Sequence, residues 1–155
     1  MIIVEPAGTD DLDRLVELET CLFREDAGRH DHFADVTWPE REGRSDFEQL
    51  VGSASAHVLV ARRDHSVVGH LVGYLSQSSP SRQPVTYAVI RSMYVEADQR
   101  SLGVGGLLVE RFVSWARDRG CIEAYVDSYI SNSGAQRFYE REGFAGQSLS
   151  RVMRL

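Results

Sequence analysis

The run Arg100-Ser101-Leu102-Gly103-Val104-Gly105-Gly106 carries the residue types of an anion-binding loop. Its glycines let the backbone turn tightly with N–H groups pointing outward. The segment after it predicts a helix whose N-terminus adds partial positive charge. A ligand bearing phosphate suits that arrangement. Glycine loops differ in what must follow them. A P-loop ends in Gly-Lys-Ser/Thr, and here Leu107 follows Gly106. A dinucleotide fingerprint needs a third glycine where this chain has Leu108. The pattern that fits is Arg/Gln-x-x-Gly-x-Gly/Ala, through Arg100, Gly103 and Gly105. A strand-to-helix turn with no ligand is the other reading of the loop alone.

A second pattern lies further on. Asn132, Ala135, Phe138, Tyr139, Gly143 and Phe144 fall in the form Asn-x-x-Ala-x-x-Phe-Tyr-x-x-x-Gly-Phe. The two patterns, in this order, resemble the GNAT superfamily of acetyl-CoA-dependent N-acetyltransferases, the first its pyrophosphate loop. The resemblance is sharp from Met93 to Phe144 and follows the element order over the whole chain. It implies one mixed α/β domain over residues 1–155. Its centre would be a twisted mixed sheet of about 6–7 strands, flanked by about 4 helices.

The resemblance implies acetyl-CoA as cofactor. The reaction is then transfer of its acetyl group to a primary amine, on a small molecule or a protein, by direct attack in a ternary complex. A CoA-binding or sensing module with weak catalysis is the alternative. The amides of Leu102 to Gly106, with Arg100 and Ser101, would take the pyrophosphate. The backbone of Met93, Tyr94 and Val95 would pair with the pantetheine as an added strand does. Asn132 would bond the pantetheine arm, with Ala135 and Phe138 packed beside it. The Val95 N–H would stabilise the oxyanion. Tyr139 would be the general acid, because a phenol pKa of about 10 is close to that of an alkyl thiol.

The general base departs from the family pattern. Relatives often carry Glu or Asp on the strand before the loop, and Ala88 to Tyr94 holds no carboxylate. Deprotonation is left to a water on Ser92, Tyr94 or Asp127, to Glu25 or Asp26, or to amine that arrives neutral. Arg91 facing the acceptor cleft would fit a substrate carboxylate; it reads equally as a solvent-facing strand residue. Glu25, Asp26, Asp31 and Asp35 would suit a cationic amine, or form a solvated acidic loop. These clues leave the acceptor open.

The elements that must position these residues follow from pattern. Ile2-Ile3-Val4 reads as a strand. Thr9 caps a helix carrying Leu12, Leu15, Val16, Leu22 and Phe23 on one face. Residues 24–44 read as a polar, structureless insert walling the acceptor site. Ser45-x-x-Glu48 reads as a capping box opening a short helix through Ser53. His57–Arg63 and Val67–Ser76 form a hairpin, with Gly69 and Gly73 marking a bulge or close approach. A Ser/Pro loop leads to the strand Pro84–Val95. The helix after the glycine loop buries Leu107, Leu108, Phe112, Trp115 and Ala116 and ends at Gly120. Cys121–Val126 is a strand, Asn132 or Ser133 caps a helix ending at Gly143, and Phe144–Met153 is a final strand.

Composition narrows the rest. The formal net charge of −6 disfavours a nucleic-acid surface. No apolar run reaches membrane-spanning length and the N-terminus does not read as a signal peptide. Cys21 and Cys121 read as buried thiols of a reducing compartment, so a cytoplasmic location is expected. His30-Asp31-His32 has no further His or Cys nearby, and no metal site is expected. Homodimers are common in the family, and no motif here specifies one.

Overall fold

The computed structural model describes residues 1–155. Five strands lie in sequence order in one sheet: β1 (Ile2–Pro6), β2 (Ala56–Arg63), β3 (Ser66–Gln77), β4 (Thr86–Val95) and β5 (Glu123–Val126). β1 to β4 are antiparallel neighbours, whereas β4 and β5 run parallel through the crossover helix α4 (Val104–Asp118). The other helices are α1 (Leu12–Glu25), the single turn α2 (Ala27–His30), α3 (Trp38–Val51) and α5 (Ser133–Arg141). The β2–β3 hairpin turns on Asp64 and His65, both with positive φ, a two-residue turn that matches strand twist. No helix is long and apolar enough to cross a membrane.

Two cores sandwich the sheet. Leu12, Leu15 and Leu18 of α1 and Phe47 of α3 pack on Val58, Val60, Val67, Val72 and Tyr94. On the other face Leu108, Val109, Phe112 and Ala116 of α4 pack on Leu59, Leu71, Ala88, Ile90 and Val95. Burying one such side chain is worth about 1.5–3 kcal/mol.

A bulge in β4 decides what faces what. The register runs Val72↔Ser92 and then Gly73↔Ile90, so Arg91 is an extra residue without a partner. Alternation therefore changes parity there. Ala88 and Ile90 point at α4 before the bulge, and Met93 and Val95 do so after it. Ser92 and Tyr94 are thereby turned toward α1, where they bond Glu19 and Glu25. Gly73, opposite the bulge, is required by contact. A Cβ there would lie 2.2 Å from Phe112 Cε2 and 2.8 Å from the Val89 carbonyl oxygen. Gly73→Ala is expected to destabilise by about 2–3 kcal/mol, read as a lower urea midpoint at unchanged m-value.

The mixed α/β class stands, with five strands rather than six or seven. The difference is the C-terminal segment. Phe144 to Met153 forms no strand. Gly143 turns the chain at φ +98 and the Phe144 N–H donates to the Tyr139 carbonyl, which closes α5. The apolar residues are then spent as walls. Phe144 meets Tyr139, and Leu149 and Val152 border a cleft.

Residues 24–44 are mostly helical rather than structureless, and the Ser45 capping box opens nothing, since α3 begins at Trp38. Pro39 occupies the first turn, where a missing N–H costs nothing. Pro39, Gly43 and Phe47, spaced by four, make the buried stripe of α3. Leu107 of α4 is exposed, and Cys21 and Cys121 are half-buried rather than buried.

Candidate functional site

Gly103 caps α4 with φ +83, and Ser101 before it also has positive φ. The first intrahelical bond runs from the Leu107 N–H to the Gly103 carbonyl, 3.1 Å. The N–H groups of Leu102, Gly103, Val104, Gly105 and Gly106 donate to no backbone acceptor, and no side chain caps the helix. Several unpaired donors and the positive end of a 15-residue helix thus converge on one spot. Val104 is buried and pins the turn from below. The Arg100 side chain is turned elsewhere. It bridges Glu25 at 2.6 Å and the Val95 carbonyl at 2.8 Å, and stacks over Tyr94. Tyr94 also donates to Glu25, 2.9 Å. Burial acts to raise the Glu25 pKa, but Arg100 and Tyr94 outweigh it and hold it below the ordinary range. Glu25 is thus a strut between α1 and the loop, not a free substrate carboxylate.

β4 and β5 part company above the loop. Their pairing covers only Tyr87↔Glu123 to Ile90↔Val126, so from Arg91 onward one edge of β4 is open. The Glu96 N–H donates to the Val68 carbonyl at 2.9 Å, which makes Gly69↔Val95 a non-hydrogen-bonded pair. The Val95 N–H, and by alternation the N–H and C=O of Met93, therefore point at the open edge, where the Val95 C=O is already taken by Arg100. Polar backbone in a strand-shaped gap is what an extended chain of amides pairs with.

α5 closes the far side. Asn132 Oδ1 accepts from the Ala135 N–H at 3.1 Å as the helix cap, and its Nδ2 donates to Asp26 at 2.8 Å. Both ends of the Asn132 amide are therefore engaged within the protein. Phe138 rests on the glycine loop. A Cβ on Gly105 would lie 2.9 Å from its ring, so only glycine lets α4 and α5 meet so closely. Tyr139 sits edge-on to Phe138 and Phe144. Burial, and secondarily the charge of Asp26, push its phenol up to about 12.

A cleft of about 1000 Å³ opens beside this gap, between α1, α2, β4 and the segment after β5. Its charged lining is Glu19, Asp26, Asp31 and Asp127 against Arg91, and Phe23, Trp38 and Tyr129 supply aromatic wall. Arg91 does reach the cleft, but its guanidinium is paired with Asp46 at 2.8 Å. Asp35 is off the cleft, held by Thr37 and Arg41. Ser92 lines the cleft and donates to Glu19 Oε2 at 3.1 Å. Glu19, which lines the cleft, and its buried partner His70 are not singled out by sequence reasoning. Glu19 sits four residues after Leu15 and three before Leu22, on the apolar face of α1, and His70 interrupts an apolar strand. A carboxylate and an imidazole at core positions are the available signal.

The chain matches the model of the Acetyltransferase (GNAT) family over residues 12–144. It is 31% identical over 104 residues to the acetyltransferase Atu2258 of Agrobacterium fabrum, covering 67% of this chain. The match spans 64% of that relative's length. Among solved structures, a mutant of the BH1408 protein from Bacillus halodurans superposes with a TM-score of 0.91 at 22% identity, over 99% of each chain. The aminoglycoside N-acetyltransferase AAC(6')-Iy, solved in complex with CoA, gives 0.79 at 17% identity, over 100% of this chain and 95% of that one. At such identities the structures speak to the fold alone.

Proposed function

The chain belongs to the GNAT acetyltransferase family, and we propose that it moves an acetyl group from acetyl-CoA to a primary amine by direct attack in a ternary complex. One observation carries the reading. The unpaired N–H groups of Leu102 to Gly106 and the outward backbone of Met93 and Val95 lie along one gap in the sheet, and Phe138 of α5, with Tyr139 edge-on to it, rests on the glycine loop beside them. These residues fit acetyl-CoA. The loop amides would hold its pyrophosphate, and the Met93 backbone its pantetheine amides. When bound, acetyl-CoA supplies an acetyl group activated as a thioester. The Val95 N–H, which has no β3 partner, would donate to the carbonyl oxygen as charge develops there. Tyr139 keeps a proton for the departing sulfur. Phe138 and Ala135 pack beside the arm, and Asn132 holds the head of α5.

The acceptor enters by the cleft. Four carboxylates against one guanidinium that is already paired favour a cationic amine over an amino-acid carboxylate. The acidic side chains raise the local concentration of such an acceptor.

The test is a thermal-shift titration with acetyl-CoA, CoA, NADH and ATP, followed by an amine screen with thiol detection. Ligand at 100 times its dissociation constant adds about 2.7 kcal/mol, a rise of several degrees at roughly 2–4 °C per kcal/mol. A rise with acetyl-CoA and CoA alone, then turnover, is expected. All 17 basic residues of the chain are arginines, so lysine acetylation seen by mass belongs to the acceptor. Binding without turnover of any amine would leave a CoA-binding module. No rise at millimolar ligand would remove the transferase reading.

A further inference from the structure

An acceptor that arrives as an ammonium must give up a proton before it attacks, and one buried cluster offers that proton a destination. Glu19 of α1 is 2% exposed and His70 of β3 is 0% exposed. Glu19 Oε2 accepts from His70 Nε2 at 3.0 Å and from Ser92 Oγ at 3.1 Å. His70 Nδ1 is sealed from solvent without a partner. The proton therefore belongs on Nε2, leaving at Nδ1 a bare lone pair, not a buried N–H without an acceptor. Two donors thus fix one oxygen of the carboxylate. The other, Oε1, has no protein donor and is not among the atoms sealed from solvent. Glu19 borders the cleft beside Ser92 and Arg91. A leucine would fill this core position at less cost than a charge whose desolvation takes several kcal/mol.

Resting on the acetyl-transfer reading, we propose that Glu19 Oε1 holds the ammonium of the acceptor and takes its proton, with Ser92 and His70 as positioning residues. In the step, one N–H bond of the ammonium breaks and its electron pair stays on nitrogen. An O–H bond forms at Oε1, the two charges cancel, and the proton later leaves to water through the cleft. The charged and titratable groups facing Glu19 are His70 from β3 and Arg91 from β4, with Asp26, His30 and Asp31 in and around α2 and Asp127 and Tyr129 after β5 across the cleft. Burial works to raise the Glu19 pKa. The hydrogen bond from His70, the charge of Arg91 and the bond from Ser92 outweigh it and hold the carboxyl below the ordinary carboxylate range. The group is ionised when the amine arrives. It is also a weak base toward an ammonium of pKa about 10, so the transfer is uphill and is drawn forward as attack consumes neutral amine.

The experiment compares wild type with Glu19→Gln on spermidine, kanamycin and an alanine-initiated peptide, across pH. Gln keeps an oxygen for His70 and Ser92. At pH 7, E19Q is expected to lower kcat/KM on the order of 100-fold. The gap should narrow toward pH 10, where the amine arrives neutral. Spermidine binding to the CoA-loaded protein, where no acetyl group is present to move, should weaken about tenfold by calorimetry. If E19Q does not fold, Ser92→Ala carries the test, with a smaller loss that narrows with pH in the same way. A loss equal at all pH values, or unchanged kcat/KM with unchanged spermidine binding, overturns the proposal. A wild type that binds acetyl-CoA but acetylates none of the three overturns the transfer reading, and this inference with it.

Discussion

Tyr139→Phe is expected to lower kcat by about 10² to 10³, with the dissociation constant for CoA unchanged within a factor of about 2. The ring would stay where it is, because its edge contacts with Phe138 and Phe144 do not involve the hydroxyl. Only the proton is removed. The phenol, pushed up to about 12 by burial and by Asp26, is protonated over the whole working range. No acidic or neutral pH deprives the reaction of it. The same shift costs driving force: two pH units amount to about 2.7 kcal/mol less favourable donation to a thiolate, which is why the low end of general-acid effects is expected. Stability gives an independent check. The folded pKa lies above the unfolded value, so the neutral phenol stabilises the fold below pH 10 and that contribution fades between pH 10 and 12. Y139F should lose less stability over that alkaline window. An unchanged kcat would make Tyr139 a packing residue and nothing more.

What could be read in the sequence was mostly short-range. Gly103 and Gly105 announce themselves because one needs positive φ and the other sits within van der Waals reach of Phe138. Asn132 is legible as a helix cap for the same local reason. The end of β4 at Val95 is legible too, because a polar turn and a glycine loop follow it directly. The parts that failed depend on neighbours distant in the chain. Glu19 and His70 are 51 residues apart and meet only because α1 lies across β3. Arg91 looked like an ordinary strand residue, yet the bulge it forms is what turns Ser92 toward Glu19. Glu25 looked like a free carboxylate until Arg100, 75 positions on, closed over it. Residues 24–44 read as structureless, yet Pro39 lies in the first turn of α3, where proline starts a helix as readily as it stops one. Phe144 to Met153 has strand-forming residues, but a strand needs a neighbour, and here those residues cap α5 and wall the cleft.

The loop can be tested without touching any reactive group. Gly103→Val is expected to weaken acetyl-CoA binding on the order of 100-fold and to cost about 1–3 kcal/mol of stability. Space is not the cause, since a Cβ on Gly103 would meet nothing within 4 Å. The cause is φ +83, which a β-branched residue avoids. With Val104 anchored in the core, the strain can be relieved only by rotating the peptide units around residue 103. That rotation turns the N–H groups of Leu102 to Val104 away from their common point. Losing alignment of two charge-assisted hydrogen bonds, at about 1.5–3 kcal/mol each, accounts for the 100-fold figure even after partial recovery by water. Gly103→Asn is the control. Asparagine tolerates positive φ, so most of the affinity and stability should return although its side chain is the larger. Calorimetry with CoA and urea denaturation of both variants decide the matter. If G103V loses stability but binds CoA like wild type, the convergent amides at the head of α4 serve only to turn the chain, and the pyrophosphate must be held elsewhere.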